Sequence, residues 1–234
     1  FRGNGDTEVL LKSYMQWGEH CVHHLNGMFS FGIYDLKKNL FFAFRDPMGQ
    51  KPFFYTLTNK SFIFGSELRP LLSHPNISKQ LEPDSIAHFL IYDAFPHSIT
   101  PIKNIQKLQP GQQLTYSIKD HKIQVQKYWE YKPNPALSKK LSQKSDEELV
   151  DMASSTLEKA VSRHLRSDVP LGIYLSGGID STLLLAAAAK SVHPSAIQTF
   201  TVGSDNDSYD ESLFSKKTAS NLGTRHYEIF PTLS

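Results

Sequence analysis

Leu175-Ser176-Gly177-Gly178-Ile179-Asp180-Ser181 gathers the residue types that handle a polyphosphate. Gly177 and Gly178 carry no Cβ, so an anion can approach the backbone closely there. A short apolar stretch, 172–175, precedes them, and an Ala- and Leu-rich stretch, 180–190, follows. In a strand–turn–helix setting, the N–H groups of the turn converge at the positive end of the helix dipole. Ser176 and Ser181 add hydroxyl donors, and Asp180 can hold a Mg²⁺ ion that offsets phosphate charge. The chemistry favoured is binding of pyrophosphate, either within ATP or as a leaving group. The lysine of the Walker loop and the third glycine of the dinucleotide fingerprint are both absent. An ordinary glycine-rich turn with a serine helix cap is the plainer alternative, and two glycines alone would fit it better. The whole run, Ser-Gly-Gly-Ile-Asp-Ser between a strand and a helix, favours the phosphate site.

The elements that must position this loop belong to a run of alternating strands and helices. Ser145-Asp146-Glu147-Glu148 is a capping-box signature, and Leu149, Met152, Ala153, Leu157, Ala160, Val161 and Leu165 fall on one face of the helix behind it. Strands are predicted at 172–175, 197–202 and 226–230, with helices at 180–190 and 210–222. That alternation indicates a parallel sheet. The first part of the chain reads differently. Phe29, Phe31 and Ile33 alternate with polar or small residues, and polar turns at 35–39, 58–60 and 119–121 separate three pairs of strands. Asp6 is a plausible N-cap for a helix carrying Val9, Leu10, Tyr14 and Trp17. We therefore expect an α+β region of layered antiparallel sheet at 1–130, a Pro-, Ser- and Lys-containing linker at 131–145, and an α/β region at 146–234.

Composition narrows the function classes. Hydrophobic residues make up 39% and charged residues 21%, which suits a globular core and excludes a disordered or fibrous chain. No apolar run approaches the roughly 18 residues a membrane helix needs, so no membrane partner is expected. Lys and Arg number 25 against 23 Asp and Glu, with no concentrated basic stretch, so no nucleic-acid partner is expected either. A single cysteine precludes an internal disulfide framework and fits a cytoplasmic setting.

The 175–181 run resembles the loop of the ATP-pyrophosphatase (PP-loop) superfamily, whose members split ATP into AMP and pyrophosphate. Asp168-Val169-Pro170-Leu171-Gly172, Thr199-Phe200-Thr201-Val202-Gly203 and Tyr209-Asp210-Glu211-Ser212 narrow the resemblance to the glutamine-hydrolysing asparagine synthetases. So do Gly5-Asp6-Thr7-Glu8-Val9, Leu25-Asn26-Gly27-Met28-Phe29, Arg45-Asp46-Pro47-Met48-Gly49-Gln50-Lys51-Pro52, Gly65-Ser66-Glu67 and Lys107-Leu108-Gln109-Pro110-Gly111. These motifs run nearly end to end in the family's order. The resemblance implies an Ntn-type glutaminase followed by a PP-loop ATP-binding domain, both truncated. Glutamine would release ammonia, ATP would adenylate the aspartate side chain, and ammonia would displace AMP.

Carried over residue by residue, Asp6 matches the family acid that contacts the ammonium group of glutamine, though a helix cap explains it too. Ser176, Gly177, Gly178, Asp180 and Ser181 match the pyrophosphate loop, with Mg²⁺ at Asp180 and ATP as co-substrate. Leu175 and Val202 match strand ends that enclose adenine, and sheet core is an equal alternative. Asp210 and Glu211 could assist metal or ATP, or simply start a helix.

Glutamine, aspartate and ATP are thus the expected small-molecule partners, with a homodimer as one expected assembly. The family's nucleophile, a cysteine at the mature N-terminus, has no counterpart at Phe1, so no catalytic residue is assigned and both ends look cut. Cys21 reads as a small buried side chain, and the spacing of His20, Cys21, His23 and His24 fits no usual zinc pattern. A sibling amidotransferase acting on another carboxylate, or an inactive remnant, are the competing readings.

Overall fold

The computed structural model describes all residues except 4, 97, 205–209 and 232–234, and the chain divides into two compact units, Phe1–Lys132 and Pro133–Ser234. Tyr209 of the 209–212 motif therefore lies outside the described residues. Among the described residues, no helix is long and apolar enough to cross a membrane.

The first unit opens with α1 (Asp6–Trp17) and a 3₁₀ segment, Gly18–His24. Asp6 is not the cap expected from sequence. Gly5 occupies that position in extended conformation, Asp6 is the first helical residue, and no side-chain cap bond occurs there among the described residues. The Glu8 carboxylate instead ties down the chain ahead of the helix, accepting the N–H groups of Arg2 (3.0 and 2.9 Å) and Gly3 (2.7 Å). There follow β1 (Ser30–Asp35), β2 (Leu40–Arg45), β3 (Phe54–Leu57), β4 (Phe62–Gly65), α2 (Leu68–Leu72), α3 (Pro83–Tyr92), β5 (Gln106–Lys107), β6 (Gln112–Ser117) and β7 (Lys122–Lys127).

The three hairpins form as the alternation predicts, and long-range pairing joins them into two antiparallel sheets. One has the order β1-β2-β6-β7, with Phe42 opposite both Ile33 and Thr115. The other has the order β4-β3-β5. Residues of β2 alternate between two cores because successive side chains point to opposite faces. Ala43 packs with Phe53, Tyr55, Leu108 and Leu114 between the sheets. Phe42 and Phe44 pack with Val22 and Tyr14 under the first helical layer. Leu71, Ile102 and Ile105 cover the far side of the small sheet with Phe54 and Ile63. The layers run helix, sheet, sheet, helix.

The second unit comprises α4 (Pro135–Leu141), α5 (Asp146–His164), β8 (Gly172–Tyr174), α6 (Ile179–Ser191), β9 (Gln198–Val202), α7 (Ser212–Leu222) and β10 (Arg225–Ile229). The expected linker thus contains a helix. Asn134 caps it by accepting the Leu137 N–H at 3.1 Å, and Pro135 pre-sets its first φ. The capping box of α5 forms with both of its bonds, from Glu148 N–H to Ser145 Oγ and from Ser145 N–H to the Glu148 carboxylate. Only the C-terminal part of the expected α5 face is packed: Val161 is buried and Leu157 and Leu165 adjoin it, whereas Met152 is exposed.

All three strands are parallel, in the order β10-β9-β8. Val161, Leu175, Leu185, Ala187, Ala188, Ile197 and Ala219 form one core between the sheet and α5, α6 and α7. On the opposite face the Phe200 and Tyr227 rings stack at 5.3 Å, and Tyr174 stands exposed.

Candidate functional site

β8 ends at Tyr174, and the chain turns through 175–178 into α6. Leu175 is 1% exposed, and its side chain belongs to the core rather than to the loop's opening. Its N–H donates to the Phe200 carbonyl at 2.8 Å, one residue past the last register pair of β8 and β9. Its carbonyl accepts the hydroxyls of Thr201 at 2.6 Å and Ser215 at 3.0 Å. The loop is therefore anchored deep in the sheet before it emerges.

Gly177 has φ +77°, a left-handed conformation that side chains rarely adopt. A Cβ built there would stand 3.0 Å from Phe214 Cβ and 3.1 Å from the Glu211 carbonyl oxygen, so the first turn of α7 presses against it. Gly178 differs. It is the extended N-cap of α6, at φ −72° and ψ 164°, and a Cβ there would meet only Ser176 Oγ, at 3.4 Å.

The hydroxyls of the loop close on themselves. Ser181 Oγ donates to the Gly178 carbonyl (3.1 Å), accepts the Ser176 N–H (3.3 Å) and lies 3.2 Å from Ser176 Oγ. Gly178 N–H reaches Ser176 Oγ at 3.5 Å. The bonds from the two N–H groups are long ones, readily exchanged for an anion's oxygens. Asp180 lies exposed in the first turn of α6 and makes no hydrogen bond or ion pair among the described residues. The arrangement can hold a polyanion at a helix N-terminus, with a carboxylate beside it to share a cation. No cluster of three His, Cys, Asp or Glu side chains suited to a metal occurs among the described residues. A cation at Asp180 would draw its remaining ligands from phosphate and water.

The structure thus brings Ser176, Gly177, Gly178, Asp180 and Ser181 together, with Leu175 directly behind them. Val202 ends β9 and is 61% exposed, so it is not sheet core. Asp6 belongs to the first unit, where it is exposed and makes no hydrogen bond among the described residues. Cys21 is 0% exposed, and burial pushes its thiol above the usual range. The histidines beside it stack rather than converge: His24 on Trp17 at 4.0 Å and His20 on His23 at 6.1 Å.

Sequence reasoning missed the roles of Thr201 and Ser215, and of the two readings it offered for Asp210 the geometry agrees with the helix start. Asp210 accepts the Ser212 hydroxyl (2.8 Å), the Ser212 N–H (3.1 Å) and the Ser204 N–H (3.3 Å), and the Ser212 hydroxyl foremost holds its carboxyl below the ordinary range. A serine two positions after an aspartate was the only local signal for it. A groove of about 890 Å³ in the first unit, lined by Lys60, Lys103, Asn76 and Asn104 among others, contains none of the sequence-selected residues.

Fold and loop together define a two-unit protein: a layered antiparallel unit, then a parallel-sheet unit with a glycine-rich loop at a helix start. Comparison with known families finds a match in each part. Residues 1–129 match the family model described as glutamine amidotransferase domain, and residues 152–232 match that described as asparagine synthase. The chain belongs to the glutamine amidotransferase domain family. It is 36% identical over 97% of its length to asparagine synthetase [glutamine-hydrolyzing] 3 of Bacillus subtilis, covering 38% of that protein. It is 33% identical over 95% of its length to asparagine synthetase [glutamine-hydrolyzing] 1 of the same organism, covering 34%. It is 30% identical over 95% of its length to amidase chyE of Penicillium rubens, covering 34%. The chain therefore spans between a third and two fifths of the length of these curated relatives.

Proposed function

We propose that this chain takes part in glutamine-dependent synthesis of asparagine. Glutamine hydrolysis supplies ammonia, ATP adenylates the aspartate side-chain carboxylate with release of pyrophosphate, and ammonia displaces AMP. The first unit is read as part of an Ntn-type glutaminase, supported by its helix–sheet–sheet–helix layering. The second is read as part of a PP-loop synthetase, supported by its parallel strand–loop–helix order. The names of the Bacillus relatives support the acceptor. The observation that carries the reading is the 175–181 loop, whose N–H and hydroxyl groups meet at the start of α6.

The chemical need is clear. A carboxylate is a poor acyl donor, because its oxygen leaves only as a very strong base. Joining that oxygen to AMP converts it into a phosphate leaving group. Ser176 and Gly178 N–H groups, with the Ser176 and Ser181 hydroxyls, would take the departing pyrophosphate oxygens. Charge developing there meets fixed donors and the positive end of α6, which need no reorganisation during the step. Asp180, exposed and without a hydrogen-bond partner among the described residues, fits the single-carboxylate mode in which Mg²⁺ commonly joins phosphates. Once bound, the ion would neutralise phosphate charge. Val202 would flank the adenine from its exposed strand end, Leu175 would support the loop from the core behind it, and Asp6 would pair with the ammonium group of glutamine. No nucleophile is assigned within the chain, since Cys21 is enclosed in the core.

Supplying the full-length protein with aspartate, ATP and glutamine labelled in its amide nitrogen should give labelled asparagine, with AMP and pyrophosphate in equal amounts. Formation of ADP and phosphate instead would sink the adenylation step. In the full-length protein, Asp180→Ala should abolish AMP formation while glutamine hydrolysis continues, and loss of both would point to misfolding.

A further inference from the structure

Two buried hydroxyls from distant parts of the chain converge on one carbonyl at the root of the loop. Thr201, on β9, is 4% exposed and Ser215, on α7, is 0% exposed. Both donate to the Leu175 oxygen, at 2.6 and 3.0 Å. Ser215 Oγ also lies 3.1 Å from the Glu211 oxygen in its own helix, so its one proton is shared between two acceptors. The Leu175–Ser176 peptide is planar, and its C=O and N–H point in opposite directions. Fixing the carbonyl toward the core therefore fixes the Ser176 N–H toward the loop interior, where it meets Ser181 Oγ at 3.3 Å. The same helix presses its first turn against Gly177. One face of α7 thus sets both the first peptide and the left-handed turn of the loop.

We propose that Thr201 and Ser215 are positioning residues for anion binding by the 175–181 loop: their hydroxyls lock the Leu175–Ser176 peptide so that the Ser176 N–H is aimed at the bound phosphate. This rests on the phosphate reading of the loop. Neither hydroxyl is free to touch the anion, since both are committed to carbonyls in the core. Their effect is pre-organisation. A peptide that is already oriented loses less conformational freedom when the anion arrives. Removing the hydroxyls leaves the Leu175 oxygen under-satisfied and lets the peptide swing, so the loss is read in affinity for the anion.

The test is titration of inorganic pyrophosphate with Mg²⁺ into the 234-residue chain and its Thr201→Val, Thr201→Ser and Ser215→Ala variants, alongside the ligand-free thermal midpoint of each. Thr201→Val should weaken pyrophosphate binding about tenfold and Ser215→Ala about threefold, the range expected for one hydrogen bond. Thr201→Ser, which keeps the hydroxyl, should bind as the parent does. The amide resonance of Ser176 should shift on adding pyrophosphate in the parent and in Thr201→Ser, and shift less in Thr201→Val. Ser215→Ala leaves the Thr201 bond in place, so it decides the matter if Thr201→Val does not fold. Unchanged affinity in the folded variants overturns the positioning role and leaves the phosphate reading standing. So does Thr201→Ser binding as weakly as Thr201→Val, since shape and not the hydroxyl would then matter. Failure of the parent chain to bind pyrophosphate overturns the phosphate reading, and the inference falls with it.

Discussion

Gly177 and Gly178 are neighbours under different constraints. The first needs its positive φ, and an added Cβ would crowd Phe214 and the Glu211 carbonyl; the second is extended and has room. Gly177→Ala should therefore destabilise the second unit by about 1–2 kcal/mol. Gly178→Ala should change stability by less than about 0.5 kcal/mol, although its methyl stands at the loop's mouth and should still weaken pyrophosphate binding. Urea midpoints compare the two, and equal losses would show that the backbone sign is not what matters. From sequence the glycines look equivalent, because only α7 packing against the loop separates them. Cys21 supplies a second residue-scale expectation. Enclosed and held as a neutral thiol, it should react with iodoacetamide at least about tenfold more slowly in the native protein than in urea. Equal rates would mean that the first helical layer opens freely.

At the scale of elements, helix starts do much of the positioning. Removing the capping hydroxyl of α5 by Ser145→Ala should cost about 1 kcal/mol, measured by urea unfolding. That motif was legible because both partners lie within three residues of each other. The start of α7 was legible only approximately: the expected 210–222 helix begins at Ser212, since Asp210 bonds the Ser204 and Ser212 amides from outside it. The carboxyl of Asp210 titrates below its ordinary value in the folded chain. Its contribution is therefore complete above the ordinary carboxylate range and is lost as pH falls through the lowered value. The midpoint difference between parent and Asp210→Ala should be present near neutral pH and shrink toward about pH 2. A difference that did not change with pH would show that shape, not charge, holds the segment.

On the scale of the whole molecule, each hydrophobic cluster lies wholly within one unit. A unit with its own core does not need the other to bury its apolar surface. Residues 1–132 produced alone should show a cooperative urea transition and near-ultraviolet dichroism from their packed aromatic rings. A broad, non-cooperative transition would show that the first unit depends on the second. Composition could not divide the chain this way, because the fraction of apolar residues says nothing of how many cores they build. The change from hairpins to alternating strands and helices did mark two kinds of architecture. The helix at Pro135–Leu141 was missed, since Pro, Ser and Lys are also what a connecting segment contains.

Patterns that depend on near neighbours were readable from the sequence alone: the alternation of Phe29, Phe31 and Ile33, the Ser145–Glu148 cap, the strand–helix order, and the residue types of the 175–181 loop. Local sterics and short hydrogen bonds determine these within a few residues. Long-range packing decided the rest. It paired β2 with β6, put Gly5 and not Asp6 at the cap position of α1, put Leu175 in the core and Val202 outside it, and gave Gly177 but not Gly178 a left-handed turn. It also brought Thr201 and Ser215 to a carbonyl 26 and 40 residues away in the chain. The physical reason is the same throughout. A buried carbonyl must find donors wherever the fold supplies them, and no local spacing encodes where those donors lie.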